Sequence, residues 1–255
     1  MKVSISKIKL FKACRRAYEL KYIHNLVPVV KSDSLVCGSN YHALLEGLYT
    51  NGILDVTEPS KELAMAMAYA KYIYPKFEVE KAEEWFEFPI GDDILCGRID
   101  AIAKNGNIVE HKTTSSTNLA EYEYSLMWDE QLLAYMLVTG ARKVYYTICR
   151  KPNIKQKTNE TDDEFFERMV AWYDEDTDEK IRLVELTRTD DEVEDFKQSL
   201  CEILPAMKEG RIYRNTCHCS QYGRRCEYSG ICLEKELAEN YVEYERREEY
   251  ADNQN

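Results

Sequence analysis

The sequence predicts an α/β fold, a central mixed sheet flanked by helices. Three observations carry that expectation. Helical periodicity dominates up to residue 75, β-prone runs follow, and then helices and strands alternate. Two of the β-prone runs flank Lys104-Asn105-Gly106-Asn107, a strong hairpin signal. A helix at residues 125–139 then precedes a strand at 143–149, so it serves as a crossover and makes the sheet mixed rather than purely antiparallel. At 255 residues and 44% hydrophobic content, the chain suits one large domain, or one domain with an appended subdomain.

In chain order, Ser4 or Ser6 caps a first helix in which Ile8, Phe11, Cys14 or Arg15, Tyr18 and Tyr22 recur at helical spacing. Cys14-Arg15-Arg16 falls mid-helix, where two arginines favour a thiolate. Gly38-Ser39 opens a second helix with His42 and Glu46 at i and i+4, on one face. Residues 58–75 form a third helix that Pro75 stops. Strands at 84–89, 94–103 and 108–113 make a meander, and Thr113-Thr114-Ser115-Ser116 leaves it as a polar loop. The helix at 125–139 sets Gln131 and Tyr135 at i and i+4, and Gly140 ends it. Thr161 and Glu164 form a capping box for a helix at 161–173. A strand at 182–187, an amphipathic helix at 190–209, a cysteine-rich segment and a charged helix at 233–250 complete the chain.

Chemistry concentrates between Gly97 and Lys112. Asp100 lies on one run, and Glu110, His111 and Lys112 lie on the other. Two carboxylates and an ammonium on one sheet face make a divalent-metal site with a cation beside it, as metal-assisted phosphodiester hydrolysis requires. Register decides this, because a one-residue slip sends a side chain to the other face. A two-residue Asn105-Gly106 turn pairs Asp100 with His111. A three-residue loop, Lys104-Asn105-Gly106 with Gly106 left-handed, pairs Asp100 with Glu110 and is the expected form. The competing reading is an ordinary solvated hairpin. For His42, the competing reading is a packed or surface histidine.

The net charge is −12, which excludes a protein that coats nucleic acid indiscriminately. Residues 1–31 are nevertheless basic, as are Arg211, Arg214, Arg224 and Arg225. If the two ends meet, they form one phosphate-binding surface. No apolar run approaches the roughly 20 residues that span a bilayer, and the N-terminal stretch has no signal-peptide core. The expectation is a soluble, cytoplasmic protein without membrane partners. Nine cysteines and no secretion signal argue against a disulfide framework. Cys37, Cys96, Cys149 and Cys201 read as buried thiols. Cys217, His218, Cys219, Cys226 and Cys232 leave a zinc site open as a reading.

Taken in order, these pieces resemble the RecB-like, iron–sulfur branch of the PD-(D/E)XK nucleases, which includes CRISPR-associated, helicase-linked and phage exonucleases. Ser4 through Arg16 resembles the family's S-x-S-x-L/I-x-x-F-x-x-C-x-R. Gly38 to His42 matches its G-x-x-x-H, Gly97 to Asp100 its G-x-x-D, Glu110 to Lys112 its E-x-K, and Gln131 to Tyr135 its Q-x-x-x-Y. The resemblance implies a restriction-endonuclease-like fold over residues 1–255. It implies His42, Asp100, Glu110 and the His111 carbonyl as ligands of Mg²⁺ or Mn²⁺, with Lys112, Gln131 and Tyr135 completing the catalytic set. It also implies a 4Fe–4S cluster on Cys14, Cys219, Cys226 and Cys232, which would clip residues 1–30 to 210–235 and leave 236–255 as a charged helix or tail. Six residues separate Cys219 from Cys226, longer than the family's usual spacing, so Cys217 competes for the third position. The implied activity is exonuclease action on DNA ends or single strands in recombination, repair or phage DNA processing. Arg15, Arg16, Arg224 and Arg225 would contact DNA, and a helicase or recombination protein would be a partner.

Overall fold

The computed structural model of the protein describes residues 1–29, 32–55, 58–221, 224–234 and 244–246. In chain order the elements are β1 (Lys2–Val3), α1 (Ile5–Ala13), α2 (Arg15–Tyr18), β2 (Leu26–Pro28), α3 (Asp33–Asn51), α4 (Lys61–Tyr72), β3 (Val79–Ile90) and β4 (Asp93–Ala103). There follow β5 (Ile108–Thr114), α5 (Leu119–Leu126), α6 (Glu130–Thr139), β6 (Lys143–Arg150), α7 (Asp162–Trp172), β7 (Ile181–Thr187) and α8 (Asp190–Glu209). The last are β8 (Ser220–Gln221), β9 (Arg224–Arg225), α9 (Ser229–Glu234) and β10 (Tyr244–Arg246). The fold is mixed α/β, with a central sheet of strand order β1-β4-β5-β6-β7 and β3 paired to β4. The chain divides into two compact units, residues 33–88 with 97–197, and residues 1–32 with 89–96 and 198–255.

The unit of residues 33–88 and 97–197 holds the mixed part of the sheet. β4 and β5 are antiparallel, β5 and β6 are parallel, and β6 and β7 are antiparallel. The parallel pair is reached through α5 and α6, the crossover that such a pairing requires. Around it, Tyr41, Leu45 and Leu48 of α3 and Met65 and Tyr69 of α4 pack with Tyr173 and Ile181. α4 begins at a cap in which the Ser60 side chain accepts from the Leu63 N–H. α7 carries the expected capping box between Thr161 and Glu164.

Two helices differ from their sequence expectations. α3 starts at Asp33, five residues before Gly38, so His42 lies in its interior rather than its first turn. The expected helix at 125–139 is two helices, because Asn118 caps α5 and Asp129 caps α6. The cap at Asp129, whose side chain accepts from the Gln131 N–H at 3.1 Å, gives α6 its own start.

In the unit of residues 1–32, 89–96 and 198–255, Ser4 is the cap of α1. Cys14 does not lie mid-helix, as the sequence led one to expect. Its backbone is extended, with φ −161° and ψ 111°. The interruption is compensated by contacts from far along the chain. Asn215 N–H approaches the Cys14 thiol at 3.4 Å, Asn215 Nδ2 donates to the Ala13 carbonyl, and Arg16 N–H bonds the Tyr213 carbonyl. Cys14, Ala17, Leu20 and Leu26 then pack with Tyr228 and Ile231, so residues from both ends of the chain share this small core. Of the helix expected at 233–250, most lies outside the described residues. Tyr244–Arg246 is a strand antiparallel to β2, which replaces the helical expectation there with a ladder.

Candidate active site

The β4–β5 hairpin decides the site. Gly106 N–H bonds the Ala103 carbonyl at 2.8 Å, and Ala103 N–H bonds the Asn107 carbonyl at 2.9 Å. Gly106 has φ +81°. This is the three-residue loop, Lys104-Asn105-Gly106, with a left-handed glycine closing it. Ala101 pairs with Val109 and Ile102 with Ile108, and one further step sets Asp100 across from Glu110. The alternative two-residue register is absent.

An open cavity of about 670 Å³ is lined by Asp100, Glu110, Lys112, His42, Glu83 and Gln131, among others. His42 comes from α3, and its Nδ1 lies 3.4 Å from Asp100 Oδ1. The second Asp100 oxygen accepts the His111 backbone N–H at 2.8 Å. Burial alone would raise the Asp100 carboxyl, but the hydrogen bond and charge of His42 outweigh it and bring it down to about 2. Glu110 is 3% exposed. Its Oε1 accepts from Lys112 Nζ at 2.5 Å, while its Oε2 has no partner. Burial and then the neighbouring Asp100 carboxylate push Glu110 up to about 8, against the pull of Lys112. Burial opposes the charge on Lys112, but Glu110 and Asp129 overcome it and hold the ammonium protonated.

Lys112 is oriented from a second side. Its Nζ donates to Gln131 Oε1 at 3.1 Å. Gln131 Nε2 donates to the Tyr135 hydroxyl, and that hydroxyl donates to the Arg98 carbonyl, both at 2.6 Å. The i, i+4 pair on α6 thus forms a wall that ends on the backbone of β4. Asp129, which the sequence analysis did not single out, stands 3.7 Å from Lys112 Nζ and accepts from the Tyr146 hydroxyl at 2.9 Å. The signal available for it was an aspartate directly before an apolar helical pattern, a cap position.

Gly97 shows why that wall needs a residue without a side chain nearby. A β-carbon there would come 3.0 Å from Phe86 Cζ, and Phe86 meets the Tyr135 ring edge-on at 5.8 Å between centroids. Gly97→Ala is expected to cost about 1–3 kcal/mol in stability, because a well-packed ring must shift. Denaturant unfolding checks it, and an unchanged midpoint would refute the close approach.

The His111 side chain is not in the cavity. Strand alternation turns it away from Glu110 and Lys112. It is buried, with Nε2 2.9 Å from the Tyr49 hydroxyl and Nδ1 2.6 Å from Thr147 Oγ1. Burial lowers its pKa to about 3, so the ring is neutral. Only its backbone carbonyl remains available as a donor for a cation. His111→Ala is therefore expected to cost about 3 kcal/mol of stability while leaving Mn²⁺ affinity at the wild-type value. Thermal unfolding and calorimetry measure the two independently.

The donor set fits a hard divalent cation. Oxygen donors with one imidazole surround the cavity, and one buried carboxylate oxygen lacks any partner. Among the described residues, the group with one donor atom each within 4.8 Å of the others is His42, Glu83 and Asp100. Glu83 was missed by the sequence analysis. It lies on β3, which begins at Val79 rather than at the expected residue 84, and nothing in the sequence there announces its φ of +50°.

The cysteines are not gathered into a ligand cage. No three thiols among the described residues come within 4.8 Å of one another, the spacing of ligands around a single ion, which gives no support to the zinc reading. Cys14 is buried. Cys217 and Cys219 are exposed, and Cys226 and Cys232 are intermediate. Cys219 Sγ lies 3.9 Å from the Asn215 carbonyl, on the residue whose N–H approaches Cys14. The basic residues are also engaged. The Arg15 guanidinium lies 4.5 Å from the Phe11 ring centroid and 5.0 Å from that of Tyr213, and Arg16 pairs with Glu19. Arg224 and Arg225 form β9, with Arg225 exposed.

No described helix is long and apolar enough to cross a membrane. A sequence profile of the PD-(D/E)XK nuclease superfamily matches residues 2–76 and 58–233. No curated protein sequence matches the chain. Among solved structures, a putative exonuclease from Eubacterium rectale is 13% identical, covers 92% of this chain and 88% of its own, and has a TM-score of 0.55. At that identity the likeness is one of fold. An alkaline exonuclease from Laribacter hongkongensis is 12% identical over 82% of this chain and 88% of its own, with a TM-score of 0.40. A phage related exonuclease from Haemophilus somnus 129PT is 14% identical over 72% of this chain and 86% of its own, with a TM-score of 0.37.

Proposed function

Since this chain belongs to the PD-(D/E)XK nuclease superfamily and is thereby an enzyme of the nuclease class, we propose that it is a metal-dependent deoxyribonuclease working as an exonuclease on DNA ends or single strands. The observation that carries the reading is the hairpin register, which sets Asp100 across from Glu110 with Lys112 hydrogen-bonded beside them. His42, Asp100, Glu110 and the His111 carbonyl are the proposed ligands of Mg²⁺ or Mn²⁺. When bound, such a cation polarises the phosphodiester and makes the attacking water more acidic.

The remaining steps belong to the chain. Asp100 is held in one orientation by the His111 N–H. Lys112 keeps its proton and offers Nζ to the charge that develops on the phosphoryl oxygens. Gln131 fixes Nζ through Oε1 and is itself fixed by Tyr135. Setting an ammonium in place beforehand means that little reorganisation is needed as the bond breaks. The roles proposed in DNA recombination, repair or phage DNA processing, and a helicase or recombination partner, follow the family resemblance. Arg15, Arg16, Arg224 and Arg225 are proposed as phosphate contacts. Arg225 is exposed, while Arg15 and Arg16 would have to exchange their present partners.

Labelled single-stranded and duplex DNA incubated with the protein and Mn²⁺ tests the reading. Stepwise shortening from an end, stopped by a chelator, supports it. Binding without shortening under any metal would replace it with a non-catalytic DNA-end-binding module.

The 4Fe–4S cluster is a separate part of the proposal, together with the clip it would make between residues 1–30 and 210–235 within a single nuclease domain. Neighbourhood supports it, since Cys14 and Cys219 both approach Asn215 and Cys226 packs against the apolar group that contains Cys14. Anaerobic purification decides. A brown protein absorbing near about 400 nm supports the cluster, and a colourless one overturns it.

A further inference from the structure

Glu83 carries no role in the family motifs, and its surroundings on β3 are those of a solvated strand. Its place in the fold is different. The left-handed φ of +50° falls inside a strand, and the residue is only partly exposed. Its carboxylate shares with His42 Nδ1 and an Asp100 oxygen a space in which every pair of donor atoms is within 4.8 Å. A second observation points to a ligand. Glu110, 3% exposed and lining the same cavity, leaves Oε2 without any hydrogen-bond partner. One imidazole and three carboxylates, one of them with an orphaned oxygen, thus surround one open volume. Arg98, on a largely exposed side chain, places Nη1 3.3 Å from Glu83 Oε2.

We infer that Glu83 is a cation-ligating residue, which joins His42 and Asp100 in holding a divalent metal and releases Arg98 when the metal enters. The inference rests on the proposed metal-dependent function and adds a ligand to it. A seat with two carboxylates and one imidazole on that side takes Mn²⁺ more readily than Mg²⁺, because imidazole suits the transition ion. Glu46 and Arg98 also line the cavity. Arg98, as the cation paired to Glu83, is the group whose removal should favour metal entry.

Calorimetric titration of the full chain with Mn²⁺, in the absence of DNA, tests it. Wild-type protein is expected to bind. Glu83→Gln is expected to weaken binding about ten-fold or more. Glu83→Gly, which relieves the left-handed backbone and so guards against a folding failure, is expected to weaken Mn²⁺ binding equally while melting at a higher temperature. Arg98→Met is expected to hold Mn²⁺ as tightly as wild type or more tightly. If both Glu83 variants bind Mn²⁺ as wild type does, Glu83 is only the partner of Arg98 and the assignment falls, while the proposed function stands. If wild-type protein binds no Mn²⁺, both fall.

Discussion

Lys112→Met should reduce DNA cleavage in Mn²⁺ by about 10²–10³-fold, as the loss of one preorganised charge donor does elsewhere. The effect should fall on kcat rather than KM, because Nζ is proposed to meet charge that appears only as the phosphodiester breaks. The structure sets the ammonium among Glu110, Gln131 and Asp129 at 2.5, 3.1 and 3.7 Å, so an uncharged side chain of similar length cannot replace it. The companion variant Gln131→Ala leaves the charge and removes the orienting acceptor. A smaller loss is expected there. Equal rates for Lys112→Met and wild type would dismiss the proposed role of the lysine outright.

Glu110→Gln should move stability and activity in opposite directions. The Glu110 side chain is buried with one oxygen unpartnered, and Asp100 stands across from it. Exchanging a carboxylate for an amide of the same shape removes the charge repulsion between Glu110 and Asp100. The metal-free protein should gain about 1–3 kcal/mol, the usual cost of an unsatisfied buried polar group. Mn²⁺ should raise the melting temperature of the wild type, because it binds only the folded state. That increment should be missing in Glu110→Gln, together with cleavage. A variant that melts lower than wild type without metal would show that the Lys112 pair outweighs the crowding of the two carboxylates.

Much of this arrangement was legible because turn chemistry and strand period are local. Asn105-Gly106 announces a left-handed position, and the alternation of Glu110 and Lys112 announces a shared face, so the register follows from these residues alone. The Gln131 and Tyr135 spacing was legible for the same reason. Glu83 was not, since a left-handed glutamate inside a strand is enforced by tertiary packing and leaves no mark in the residues around it. The break at Cys14 was equally hidden. No glycine or proline marks it, and the partners that compensate it, Tyr213 and Asn215, lie about two hundred positions away. His42 was placed on the correct helix, but the helix start was misjudged because Gly38 looked like a boundary. Lys151 follows the expected strand at 143–149, and its basic, proline-adjacent position gives no sign of burial. It is in fact buried, and its Nζ donates to the Ser34 carbonyl and hydroxyl at 2.9 and 2.7 Å, holding the start of α3.

The parallel pairing of β5 with β6 has a consequence for the order in which the protein is made. A nascent chain that has reached residue 112 already contains His42, Glu83, Asp100, Glu110 and Lys112. The strand that supports Glu110 and Lys112 still lacks its neighbour, because Glu110 pairs with Tyr146 and Lys112 with Ile148. Gln131 has yet to emerge, and so has Lys151. The ribosome therefore delivers every proposed ligand well before the framework that aligns them, and competence waits for the crossover to close.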